Sequence, residues 1–132
     1  MKKVEVVAAI INFENEIFCV QRPENNLNYI SKKFEFPGGK IEKGESKEQA
    51  LRRELIEELN FTPTKIDSLF LTVVHEYPDF ELTMHSFKCH SETKDIQLNE
   101  HISAKWLTLK NLNKLDWAEA DIPIVEKLIE DE

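Results

Sequence analysis

Residues 39–61 read GKIEKGESKEQALRRELIEELNF. Ser46 stands ahead of KEQALRRELIEEL, a run without Gly or Pro, and a serine hydroxyl there accepts from the free amides of a first helical turn, so the pattern predicts a helix opening after Ser46. Leu51, Leu55 and Leu59 recur at i, i+4 and i+8 and form one apolar stripe on a 3.6-residue repeat. Asn60 falls where the chain leaves the helix, and Asn is the usual second choice after Gly for a left-handed cap. On this helix Glu54, Glu57 and Glu58 lie within an arc of about 100°, turned away from the leucines. Like charges so spaced destabilise an isolated helix by a few tenths of a kcal/mol per pair. Two readings fit them: a solvated acidic face, or a site for a hard divalent cation that takes oxygen ligands.

Outward from the helix, residues 34–36 (FEF) alternate briefly and stop at Pro37-Gly38-Gly39, a strong breaker, with residues 40–45 expected as a loop. Residues 4–13 are β-branched and almost continuously apolar, a buried strand, and Glu14-Asn15 turns the chain into a second strand at residues 17–20. Residues 22–33 are polar and Asn-rich, hence a loop. Downstream, residues 65–77 and 80–91 read as strands joined by Pro78-Asp79. Residues 92–103 form a polar loop, residues 104–107 a short strand, and residues 122–128 a final helix. Strands with interleaved helices and mostly hairpin links indicate an α+β sandwich built on a mixed sheet.

The chain has 132 residues, 41% hydrophobic and 32% charged, which is one domain's worth of ordinary globular sequence. With 17 Lys+Arg against 25 Asp+Glu the formal net charge is −8. Such a surface repels a polyanion, so broad electrostatic binding to DNA or RNA is not expected, and a phosphate-bearing ligand must be met locally by a few basic groups or by bound cations. Cys19 and Cys89 lack any C-x-x-C spacing, which supports neither a disulfide framework nor a zinc site. The apolar opening after Met1-Lys2-Lys3 is too short to span a membrane and shows no cleavage-site pattern, so the expected location is the cytoplasm, with reduced thiols.

Within residues 39–61 the fixed residues are Gly39, then Glu45 after five residues, Arg53-Glu54 after seven more, an apolar Leu55, and Glu57-Glu58, followed by apolar Phe61. Six polar or glycine identities at set offsets arise by chance on the order of 10⁻⁷ per starting position. This stretch resembles the Nudix box of the Nudix hydrolase superfamily, departing from it only in having Asn60 where the family usually has Gly. The resemblance implies a single Nudix domain over residues 1–132, an α/β/α sandwich with a mixed sheet between helices. It implies hydrolysis of a nucleoside diphosphate linked to another group, with Mg²⁺, or Mn²⁺, held by Glu54, Glu57 and Glu58 and assisted by a backbone carbonyl of Gly38 or Gly39. Cations so held would reconcile an acidic protein with a polyphosphate, polarise a phosphoryl oxygen and lower the pKa of a bound water. Arg53 would orient the carboxylates by charge-assisted hydrogen bonds, although a surface ion pair is the plainer reading. Glu45 looks like a loop-stabilising acceptor.

FEFPGGKIEKGES, the opening VEVVAAIINFENEIFCVQR and the ending EADIPIVEKL together resemble the MutT-type nucleoside triphosphate pyrophosphohydrolases, including the CTP pyrophosphohydrolase branch. By that resemblance Asp121 hydrogen-bonds the base edge; an ionised Asp only accepts, which favours an edge presenting donors such as the cytosine amine. Asp121 equally suits an N-cap for the helix opened by Ile122-Pro123. Arg22 matches a substrate-contacting Arg or is a solvated loop charge. Glu35 and Phe36 line the nucleoside pocket, with a core role for Phe36 as the alternative. Gly38 belongs to the same wall, and Lys40 is close enough to reach phosphate. Glu100 falls where the subgroup supplies an extra carboxylate, as metal ligand or general base. Phe80 stacks on the base or is an exposed hairpin aromatic. His75, His85, His90 and His101 show no metal-ligand spacing and are read as strand or surface residues.

The resulting expectation is a Mg²⁺-dependent enzyme that converts nucleoside triphosphates to monophosphate and pyrophosphate, acting on oxidised or modified dNTPs or on CTP and dCTP. Its catalytic set is Glu54, Glu57, Arg53 and Glu100; its partner is a small nucleotide, with no nucleic acid polymer and no membrane, and it acts as a monomer or homodimer. Alternatives are a Nudix hydrolase of ADP-ribose or dinucleoside polyphosphates, and a noncatalytic nucleotide-sensing module.

Overall fold

The computed structural model describes residues 1–131. A seven-stranded mixed sheet runs β3-β2-β1-β6-β5, with β4 beside β1 and β7 beside β2. Its strands are β1 (Lys2–Phe13), β2 (Glu16–Gln21), β3 (Phe34–Glu35), β4 (Gly38–Lys40), β5 (Lys65–Glu76), β6 (Phe80–His90) and β7 (Ser103–Leu107), and the helices are α1 (Lys47–Leu59) and α2 (Ile122–Glu130). β1 is the spine. It pairs in parallel with β6 in a continuous register from Lys2↔Phe80 to Asn12↔His90, and its apolar stretch Val7–Ile11 is buried on both faces.

Alternation along β1 divides the core in two. Val7, Ala9 and Ile11 pack with Leu51, Leu55 and Leu59 of α1, whereas Ala8 and Ile10 pack with Ile124, Val125 and Leu128 of α2. Helices thus cover both faces of the sheet, the α/β/α arrangement expected. The leucine stripe is fully buried. At about 25 cal/mol per Å² of apolar surface removed from water, each such leucine contributes roughly 2 kcal/mol toward holding α1 on the sheet.

The ends of α1 match the sequence reading. Ser46 Oγ accepts from the Gln49 amide at 3.1 Å and the Gln49 side chain returns to the Ser46 amide at 2.9 Å, a complete capping box. Asn60 closes the helix in the left-handed region (φ 50°, ψ 44°), its amide donating to Ile56 O at 3.0 Å.

Residues 37–40 differ from expectation. Pro37-Gly38-Gly39 was expected to break the chain and Lys40 to begin a loop, yet Gly38–Lys40 is strand β4, with Gly38 opposite Ala8 and Gly39 opposite Val7. The reason is steric. A Cβ on Gly38 would come within 1.9 Å of the Val7 carbonyl oxygen, so glycine is what permits this backbone to join the sheet at all. β1 and β2 pair only near their hairpin, at Asn12↔Ile17 and Phe13↔Glu16; beyond it β3 takes up β2 and β4 takes up β1. The strands splay there, and the split opens the cavity described below. The final helix runs two residues past its expected end, and 3-10 turns at Leu109–Lys114 and Glu119–Asp121, unsignalled by the sequence, lead into it. Among the described residues no helix is long and apolar enough to cross a membrane.

Candidate active site

One cavity of about 810 Å³ lies along the split, and its lining joins two chemically different ends. At the first end are Gly38, Gly39, Lys40, Glu54, Glu58 and Glu100; at the second are Arg22, Glu35, Phe36, His101 and Asp121.

The first end is organised by Arg53. Its guanidinium grips Glu45 through Nε (2.7 Å) and Nη2 (2.9 Å), donates from Nη2 to the Lys40 carbonyl (2.9 Å), and reaches Glu54 (2.9 Å) and Glu57 (3.3 Å) through Nη1. One side chain therefore ties the loop before α1, the end of β4 and two helix carboxylates together, which a surface ion pair does not do. The Arg53 hydrogen bonds, aided by the Glu42 amide at 2.8 Å, hold Glu45 down to about 2. Glu45 is thus the loop-stabilising acceptor it was expected to be.

The three helix carboxylates are not equivalent. Glu57 is exposed, Glu54 is 14% exposed at its side chain, and Glu58 is buried. A solvated acidic face therefore does not describe them. Burial, reinforced by Glu54, Glu35 and Glu100, pushes Glu58 up to about 9. Its Oε2 is buried with no donor to satisfy it. The neighbouring Glu54 carboxyl is a second acceptor, and the negative end of the α1 dipole adds to the repulsion, so the pair requires a proton or a cation between its oxygens. Gly39 completes this end: a Cβ there would sit 2.3 Å from the Glu54 carboxyl carbon, so its backbone lies directly against the carboxylate. Among the described residues no three His, Cys, Asp or Glu side chains already converge into a cage; Glu57 leans to Arg53, and Glu100 is in the loop across the cavity.

That loop is fixed to the helix. Asn99 donates from its amide to Glu58 O (3.1 Å) and from Nδ2 to Glu57 O (2.7 Å), and Gln97 donates to Leu59 O (3.1 Å). The orphan carbonyls of the last turn of α1 are thereby satisfied, and Glu100 is carried to the cavity.

The second end is assembled from four separate segments. Asp121 is 5% exposed, and its Oδ2 accepts from the Phe36 amide at 2.9 Å. It makes no capping bond to α2 and has helical backbone angles, so of the two roles open to it the N-cap is not realised. Burial, then the nearby Glu35 carboxyl, raises Asp121 well above the ordinary carboxyl range. That shift favours the neutral acid, which carries a donor beside its acceptor, whereas the ionised form only accepts. Glu35 receives Arg22 Nη1 at 3.3 Å on Oε1 and faces His101 Nε2 at 3.0 Å on Oε2. Phe36 fills both roles considered for it, lining the cavity while stacked on Trp117 at 4.7 Å in the core. Phe80 is half-buried against Tyr77 at 5.2 Å on the cavity wall rather than exposed at its hairpin.

Sequence reasoning missed three residues here. His101 was read as a strand or surface residue, but its ring is only 6% exposed. Tyr77 accepts the Ala120 amide at 3.1 Å and so fixes the segment bearing Asp121. Trp117 backs Phe36 and donates to Leu112 O at 2.7 Å. His101 had one signal, its place beside Glu100; the two aromatics had none, since a wall built by distant segments leaves no local period. Of the other histidines, His85 is buried between Glu5 and Thr72, and His75 and His90 pair with Glu119 and Asp67, all in strands as read. Both cysteines are free and buried, and burial lifts each thiol to about 12.

Comparison with known proteins gives the family of this chain. The NUDIX domain family matches residues 1–128. The 8-oxo-dGTP diphosphatase of Escherichia coli K12 is 38% identical over 129 residues, covering 97% of this chain and 98% of that protein. The CTP pyrophosphohydrolase of the same organism is 34% identical, covering 96% and 91%. Among solved structures, the MutT protein of methicillin-resistant Staphylococcus aureus 252 superposes with a TM-score of 0.77 at 37% identity over the full length of both chains. The glycine-lined strand, the arginine-tied loop and the acidic helix thus stand in a chain that belongs to the Nudix family, as a hydrolase of the MutT type.

Proposed function

We propose that the protein hydrolyses nucleoside triphosphates to the monophosphate and pyrophosphate, with Mg²⁺ as its cation and Mn²⁺ as a substitute. Its preferred substrates are an oxidised dNTP such as 8-oxo-dGTP, or CTP and dCTP. One observation carries this reading: a single cavity is lined both by Glu58, whose buried Oε2 has no partner, and by Phe36 and Asp121. The residues fit a divalent cation, because Glu54, Glu58 and the Gly39 backbone bring hard oxygens together and, among the described residues, Glu58 Oε2 has no hydrogen-bond partner. Glu54, Glu57, Glu58 and Glu100, with a carbonyl of Gly38 or Gly39, would hold it. When bound, the cation supplies charge neutralisation at the phosphates and a water of lowered pKa.

The remaining work belongs to the side chains. Arg53 orients Glu54 and Glu57 and keeps the loop before α1 closed on β4. Lys40 and Arg22 both line the cavity; in this reading Lys40 meets phosphate oxygens and Arg22 contacts the substrate. Glu100, next to the Asn99 that is tied to the end of α1 and itself lining the cavity, would accept a proton from the attacking water. The neutral Asp121 carboxyl matches an edge with one acceptor and one donor. Cytosine offers that pair at its ring nitrogen and amine, and 8-oxoguanine offers it at O6 and the protonated N7, whereas unmodified guanine has only acceptors on that edge. The two relatives named above act on these two bases by name, which supports the assignment.

We take residues 1–132 as one catalytic unit working on the free nucleotide pool of the cytoplasm. The test is a panel of canonical and modified NTPs and dNTPs with Mg²⁺, reading product identity. Monophosphate plus pyrophosphate is expected; AMP plus ribose phosphate from ADP-ribose as the best substrate would replace this reading, and binding without turnover would make the protein a sensor.

A further inference from the structure

Glu35 is gripped from both sides. Arg22 Nη1 donates to Oε1 at 3.3 Å, and His101 Nε2 lies 3.0 Å from Oε2. A carboxylate only accepts, so Nε2 carries a proton and the contact is a donation to Glu35. Yet Nδ1 is buried and has no partner. An apolar side chain would fill the same space without stranding a polar atom, so packing does not explain the ring; its one polar contact is with Glu35. Glu35 in turn precedes Phe36, whose amide holds Asp121 at 2.9 Å, and β3 is only two residues long, so little else fixes where the Glu35 carboxylate points.

We propose that His101 is a positioning residue for base selection: by holding Glu35 Oε2 it sets the carboxylate beside Asp121 at the base end of the cavity. This rests on the function proposed above and deepens it. Glu35 neighbours both Glu58 and Asp121, and the His101 contact is assigned to its Asp121 side, so that it acts on which base is accepted.

The experiment compares wild type, His101→Gln and His101→Asn in pyrophosphate release from CTP, UTP, GTP, ATP, their deoxy forms and 8-oxo-dGTP, with Mg²⁺ present. The Gln amide reaches as far as Nε2, whereas the Asn amide ends near Nδ1 and cannot meet Glu35. The Asn variant should lose about tenfold in the ratio of kcat/KM between the preferred nucleotide and the rest, the size expected for one charge-assisted hydrogen bond, with the change carried by KM. The Gln variant should restore the ratio. Unchanged ratios in His101→Asn, or an equal fall in kcat for every nucleotide as a displaced Glu100 would give, overturns the proposal while leaving the proposed activity standing. No pyrophosphate release from any nucleotide by wild type overturns both.

Discussion

The two ends of the cavity are built in opposite ways. Apart from Glu100, the acidic end comes from one continuous stretch, in which a capped helix, a left-handed Asn60 and a single arginine bring Glu45, Glu54, Glu57 and the Lys40 carbonyl together. The base end comes from Arg22, Glu35, His101 and Asp121, up to 99 positions apart, joined only because β3 and β4 divide the space between β1 and β2. A chemistry shared by many substrates is thus encoded locally, and the choice among substrates is left to tertiary contacts. Substitutions at the first end should therefore affect all nucleotides alike, and those at the second should affect them unequally.

The sharpest way to break this comparison is Glu57→Gln. With Mg²⁺ present, kcat should fall by about a hundredfold or more for every nucleotide, with ratios between bases preserved; turnover that survives unchanged across the panel would remove Glu57 from the acidic site. Next come the two glycines. Gly38→Ala forces a Cβ against the Val7 carbonyl and should cost about 3 kcal/mol in denaturant unfolding. Gly39→Ala meets a movable carboxylate instead, so it should cost less stability while displacing Glu54 and depressing kcat. Equal stability losses in the pair would contradict the assigned contacts.

At the base end, Asp121→Ala removes the acceptor of a buried amide and should cost about 1–3 kcal/mol along with base discrimination. Asp121→Asn keeps one acceptor and adds fixed donors, as the neutral acid does, and should retain much of that discrimination. Steady-state kinetics with paired bases separates the two outcomes. Acid sensitivity should come from the first end. Glu45 is depressed to about 2 in the folded protein against an ordinary value near 4.5, so its contribution is fully present above about pH 4.5 and is lost as pH falls toward 2. Glu45→Gln should flatten that part of the melting-temperature profile, and an unaltered profile would show that Arg53 does not depend on it. The smallest effect is at Asn60, where Asn60→Gly should change stability by about 1 kcal/mol or less, because Asn already tolerates φ 50°.

Strands β1, β2, β5, β6 and β7 and both helices are legible from periodicity and turn residues, because each satisfies a local rule of burial or capping. Strand β4 is not. Pro-Gly-Gly carries no strand preference, and its pairing depends on a neighbouring backbone that leaves no room for a side chain. Of the positions chosen along residues 39–61, Gly39, Lys40, Glu54 and Glu58 line the cavity and Arg53 and Glu57 do not, whereas Glu35, Phe36, Glu100 and Asp121 all do; their ionisation states do not follow from the sequence. Glu58 and Asp121 are both carboxyls in a strongly acidic chain, and only burial shows that each resists ionisation. His101 was misjudged for the same reason, since a histidine in a polar loop looks solvated until Glu35 is found against it.

The sequence by itself determined the helix, its caps, the order of its carboxylates and the family to which the chain belongs, since these depend on residues within a few turns of one another. Tertiary structure decided which carboxyls are buried, that Gly38 and Gly39 enter the sheet, and that Arg22, Glu35, His101 and Asp121 meet. Desolvation and close approach are properties of assembled neighbours, and no spacing along a chain specifies them.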